Sequence, residues 1–79
     1  MSPQARMTLT EAPVGSRVRI HHLHPQAEVS TRLREMGFCE NAMIRCITKG
    51  NGTIICEVSN TRIGLGSRVA DNIVVSPSE

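Results

Sequence analysis

The sequence predicts a mainly β fold, a small barrel of about five short strands with one inserted short α-helix over roughly Pro25–Met36. Three observations carry that expectation. Apolar and polar residues alternate with period two in several short runs, as in half-buried strands. Tight-turn signals separate those runs, the clearest being Asn51-Gly52. A single stretch, beginning at Pro25, has helical spacing instead. In so short a chain, closure into a barrel would hide strand edges that an open sheet leaves exposed.

The first anchors are Leu9, Ala12 and Val14, interrupted by Pro13 and ended by a turn at Gly15. From Arg17 to Leu23 the alternation is clear. Val18 and Ile20 point inward, with Arg17, Arg19 and His21 opposite. Pro25 ends that strand and is well suited to open a helix, where its missing N–H is no loss. Val29, Leu33 and Met36 then share one helical face, and Glu28 precedes Arg32 by the four residues of a helical ion pair. Gly37 is the expected stop, in a left-handed conformation that glycine adopts without strain. Phe38, the sole aromatic residue, is placed to pack back on Leu33 as a clasp.

Beyond Asn41 the alternation returns. Ile44, Cys46 and Thr48 are expected on one face, and Met43, Arg45, Ile47 and Lys49 on the other. The return strand covers Thr53 to Ser59, followed by a turn at Asn60-Thr61 and a strand from Arg62 to Leu65. Ser67 is the expected cap of a single helical turn, with Ala70 beneath it, before a last strand through Ile73, Val74 and Val75. Residues 8–75 thus form one domain, with a mobile segment at 1–7 and a polar tail at 76–79.

Composition narrows the function. With 39% hydrophobic and 20% charged residues the chain is a folding one, and a net charge of +2 is too small to imply nucleic acid. One aromatic residue cannot line a proline-peptide groove or a base-stacking platform. No apolar run approaches the roughly 20 residues of a membrane span. The first fifteen residues lack a signal-peptide core, so a cytoplasmic protein without membrane insertion is expected. Three cysteines without a C-x-x-C pair favour reduced thiols, with Cys46 and Cys56 in the core. No phosphate loop, hydrolase metal spacing or paired nucleophile and base is present, so an enzyme is not expected.

Three blocks in order give the chain its resemblance: Leu9 to Gly15 (L-x-x-A-x-x-G) leading into RIHHL, RLREMGF from Arg32 to Phe38, and IGLGSRVADNIVV from Ile63 to Val75. Together they resemble the FeoA family of bacterial ferrous iron uptake. The resemblance implies an SH3-like β-barrel, with Gly15, Leu33, Gly37, Leu65, Ala70 and Ile73 as structural residues. It also implies a cytoplasmic, non-enzymatic accessory role at FeoB, the membrane ferrous transporter with a GTP-binding domain. Two positions depart from the family pattern. Glu40-Asn41 stands where Pro-Gly is frequent, and Gly66 where a basic residue is frequent.

Two surface expectations follow. Arg32, Met36, Phe38, Met43 and Ile47 form a candidate partner-docking patch, because small domains rarely expose contiguous apolar surface without a use. His21, His22 and His24 form a candidate metal site for weakly bound Zn²⁺ or Fe²⁺, with no cofactor required. Half a coordination sphere at best, these histidines also admit a metal-bridged homodimer, and a metal carrier or sensor is the alternative function.

Overall fold

The computed structural model describes residues 6–78. Its elements in chain order are β1 (Met7–Thr8), a 3-10 turn (Leu9–Glu11), β2 (Arg17–His22), α1 (Ala27–Glu35), β3 (Met43–Gly50), β4 (Thr53–Val58), β5 (Thr61–Gly66), α2 (Ser67–Ala70) and β6 (Val74–Pro77). The fold is mainly β, with six antiparallel strands in the order β1-β6-β2-β3-β4-β5. The expected closure is not made by hydrogen bonds, since β1 and β5 are the two ends of the sheet. Helix α2 packs both on the 3-10 turn after β1 and on β4 and β5. A helix, rather than a ladder, thus bridges the two edges.

The sixth strand in the count is β1, two residues long and paired with β6 through Met7↔Val75 and Thr8↔Val74. Met7 therefore belongs to the sheet and not to the expected mobile segment, whose residues 1–5 lie outside the described ones. At the other end β6 runs to Pro77 and Ser76 is buried, so the polar tail expected from residue 76 is in part strand.

Alternation matches burial where the strands are regular. Val18, Ile20, Ile44, Cys46, Ile54, Cys56, Val58, Leu65 and Val75 are all buried. A β-bulge interrupts β3 between Cys46 and Thr48. One extra residue, Ile47, shifts the phase, so Thr48 is exposed and not inward as its spacing predicts.

Helix α1 begins one residue after a Gln26 cap whose side chain makes no capping bond, so Pro25 precedes the helix instead of opening it. Its C-terminus follows expectation closely. Gly37 has φ +99°, its N–H donates to the Arg34 carbonyl (3.0 Å), and the Phe38 N–H donates to the Leu33 carbonyl (2.9 Å). These are the two closing bonds of a glycine-terminated helix. Both Leu33 and Phe38 enter the core, Phe38 with no exposed surface. Met36 turns outward, leaving Val29, Ser30 and Leu33 as the covered face. Gly66, not Ser67, occupies the cap position of α2.

Both hairpins use two residues with positive φ: Asn51 (48°) and Gly52 (79°), then Ser59 (52°) and Asn60 (66°). Their twist matches that of the strands they join. The second turn lies one residue earlier than Asn60-Thr61. Asn41, at φ 72°, keeps the left-handed turn at the position where the family frequently has glycine.

Candidate docking surface

The helix stop at Gly37 lies against β4: a Cβ added there would meet Val58 Cγ1 at 3.6 Å. Val58 leads directly into the Ser59-Asn60 turn, and Met43 lines a groove with both of those turn residues. The Met36-Gly37 corner and Met43 thus occupy the same end of the sheet. Both methionines are substantially exposed, Met36 at 38% and Met43 at 42%.

The other members of the expected patch are placed differently. Phe38 is wholly buried and offers no surface to a partner. The reason is its place in the closing bonds of α1, which turn the ring into the core. Ile47 is half-buried at the bulge, four residues along β3 from Met43. Arg32 is exposed on α1 and lines a broad helix-side groove with Glu28, Thr31 and Glu35. Glu28 and Arg32 form no ion pair among the described residues. The helix arginine that does pair is Arg34, whose Nη2 reaches Glu40 Oε2 at 2.7 Å while Nε reaches Oε1 at 3.2 Å. Those hydrogen bonds hold the Glu40 carboxyl below its ordinary range and push Arg34 up. Glu40 thereby fastens the loop after α1 back to the helix, at a position where the family frequently has proline.

A feature that linear reading does not display is the row of residues across the outer sheet face. Arg17 pairs with Arg45, Arg45 with Glu57, and Glu57 with Arg62, on four successive strands. Beside this row Arg19 pairs with Met43. Between them opens a groove of about 260 Å³, lined by Arg17, Met43, Arg45, Glu57 and the Ser59-Asn60 turn. Period two puts each arginine outward, but only the register brings those of different strands together.

The histidines are spread along the end of β2, where a bulge lies between Ile20 and His22. His21 Nε2 is 2.7 Å from Ser76 Oγ. His24 Nδ1 accepts the Gln26 N–H at 3.1 Å, so its lone pair there is in use. An imidazole binds a metal through one lone pair while its other nitrogen can donate, so the Gln26 bond occupies the lone pair of His24 Nδ1, and the His21–Ser76 contact occupies one only where the ring is the acceptor. Among the described residues no group of three or more His, Cys, Asp or Glu is gathered to hold an ion.

A helix-inserted sheet of this size, with α2 bridging its edges, defines a small SH3-like domain. Solved structures of the same shape include the iron uptake regulatory protein FeoA, at 21% identity and TM-score 0.82, covering 94% of this chain and 99% of that one. Iron(II) transport protein A from Clostridium thermocellum is 30% identical with TM-score 0.81, over 90% of this chain and 45% of that one. A manganese-dependent transcriptional repressor shares the fold at 15% identity and TM-score 0.86, and this chain spans 45% of its length. A comparison with curated proteins gives no match. The FeoA domain matches residues 7–77, and the chain belongs to the FeoA family. Membership supports an accessory role in ferrous iron transport. No helix among the described residues is long and apolar enough to cross a membrane.

Proposed function

We propose that the protein is a cytoplasmic, non-enzymatic accessory of ferrous iron uptake that binds the cytoplasmic part of a FeoB-type membrane GTPase transporter. The observation that carries this reading is the FeoA domain match across nearly the whole chain. The surface supports it. Met36 and Met43 expose apolar area at one end of the sheet, beside a basic face. Flexible methionines suit a docking surface that must adapt to its partner.

Surface plasmon resonance with the transporter's immobilised cytoplasmic region tests it. The unaltered chain is expected to bind, and Met36→Ser plus Met43→Ser to weaken binding about tenfold or more while the thermal midpoint stays within a few degrees. Equal binding by the double variant would remove this corner from the interface.

The histidines take Zn²⁺ only loosely: of the three only His22 is exposed, and His24 Nδ1 accepts the Gln26 N–H. Calorimetric titration is expected to show no saturable binding at micromolar Zn²⁺. Saturable micromolar binding that disappears in His22→Ala plus His24→Ala would reinstate a carrier or sensor role and a metal-bridged homodimer.

A further inference from the structure

The outer face of β2 to β5 sets Arg17, Arg19, Arg45 and Arg62 around a single carboxylate, Glu57. The whole chain carries a formal charge of only +2. Positive charge is therefore concentrated on this face and offset by acidic residues elsewhere. Like charges directly opposite one another weaken a sheet, and Arg17↔Arg45 is such a pair. Among the described residues the ion pair is Arg34–Glu40, on the helix side, and none of these four guanidinium groups has one. A repulsive pair held in place by the register of two strands, with a groove and an exposed methionine beside it, is an arrangement that an anion from outside would relieve.

The kind of anion follows from what surrounds the arginines. Guanidinium forks take carboxylates through paired N–H···O bonds, and strands hold the forks more rigidly than loops would. Met43 gives the groove an apolar wall, which calls for a ligand with an apolar group next to its charge. No aromatic residue is available to stack a base, the one phenylalanine being buried. Glu57 at the β4 side would repel a long uninterrupted polyanion.

We propose that this face binds an acidic peptide segment of a protein partner, one carboxylate lying between Arg17 and Arg45 and an adjacent apolar side chain resting on Met43. The inference deepens the docking reading above and rests on it for the partner's identity. Peptide recognition itself is testable without the transporter.

The test is fluorescence anisotropy of the full chain with a short labelled peptide alternating glutamate and leucine, beside its glutamine counterpart. The acidic probe is expected to bind, more weakly as salt rises, and the glutamine probe not to bind. Arg17→Glu should weaken the acidic probe about tenfold or more. Its thermal midpoint should hold or rise, because the substitution replaces the Arg17–Arg45 repulsion with attraction. Arg45→Gln serves as the second variant, and Arg34→Glu, on the helix side, should leave the affinity unchanged. Equal binding of the glutamine probe, undiminished binding by Arg17→Glu and Arg45→Gln, equal loss in Arg34→Glu, or tighter binding of a single-stranded RNA oligonucleotide would each overturn the inference. Capture of the transporter's cytoplasmic region by Arg17→Glu at unaltered strength would overturn it too, while leaving the docking reading intact. Failure of even the unaltered chain to capture that region counts against the docking reading, and the peptide titration still decides whether this face takes acidic segments.

Discussion

Phe38→Ala is expected to bring the domain to the edge of unfolding. The ring is the largest wholly buried side chain. Removing a buried aromatic ring costs about 3–5 kcal/mol in lost burial and residual cavity. At roughly 0.05–0.15 kcal/mol per residue, a domain of this size has a total of about 4–12 kcal/mol to lose. Urea titration followed by far-ultraviolet circular dichroism should show a midpoint lowered by about a quarter or more, with a smaller fall for Phe38→Leu. An unchanged midpoint in Phe38→Ala would mean that the core does not depend on the ring. The helix stop is part of the same unit. The Phe38 N–H closes α1 on Leu33 while its ring leaves for the core, so loosening the ring should also fray the last turn of the helix.

Alkaline pH is expected to destabilise the fold through its core thiols. Cys46 and Cys56 are direct cross-strand partners, both without exposed surface. Burial pushes the Cys56 thiol up to about 12 from its ordinary 9.0, with the neighbouring Cys46 adding to the effect, and burial raises Cys46 as well. The unfolded chain releases the Cys56 proton near pH 9, whereas the folded chain holds it to about 12. Between those values the unfolded state binds fewer protons, so stability is full below pH 9 and falls as pH rises. The Cys56 contribution to that slope is at most about 1.4 kcal/mol per pH unit. No tyrosine is present to titrate in the same range. Urea midpoints at pH 7, 9 and 10.5 should decline in that order, and Cys56→Val should flatten the decline. An identical slope in Cys56→Val would assign the effect elsewhere.

Local chemistry explains which parts of the fold were legible. Gly37, Asn41 and Asn51-Gly52 each need a positive φ that few residues tolerate, and each adopts it. Alternation reported burial wherever a strand stays regular, as from Met43 to Cys46. It failed at Thr48 because a bulge inserts a residue without any change in composition. Strand β1 is not legible because two residues cannot show a period, and its existence depends on pairing with the distant β6. Closure by α2 was likewise invisible, being a matter of where a four-residue helix comes to rest.

The candidate surface was legible only in part. Methionines 36 and 43 are exposed as the docking expectation requires, but Phe38 has a structural use that spacing also foretold, and the two uses conflict. The outward direction of Arg17, Arg45 and Arg62 followed from period two. Their alignment into one row required strand register, which no single strand encodes. For the histidines, sequence gave proximity along the chain, while Ser76 and Gln26 determine which ring nitrogens remain free.

Strand β6 lies between β1 and β2, although it is the last of the described strands in chain order. A ribosome synthesising this chain therefore exposes β1 and the free side of β2 long before the segment that joins them emerges. Native pairing of these strands must wait for residues 74–77, so this side of the sheet assembles only after the other described strands have emerged. Any truncation that removes those four residues leaves two unsatisfied strand edges and invites aggregation in place of a smaller folded core.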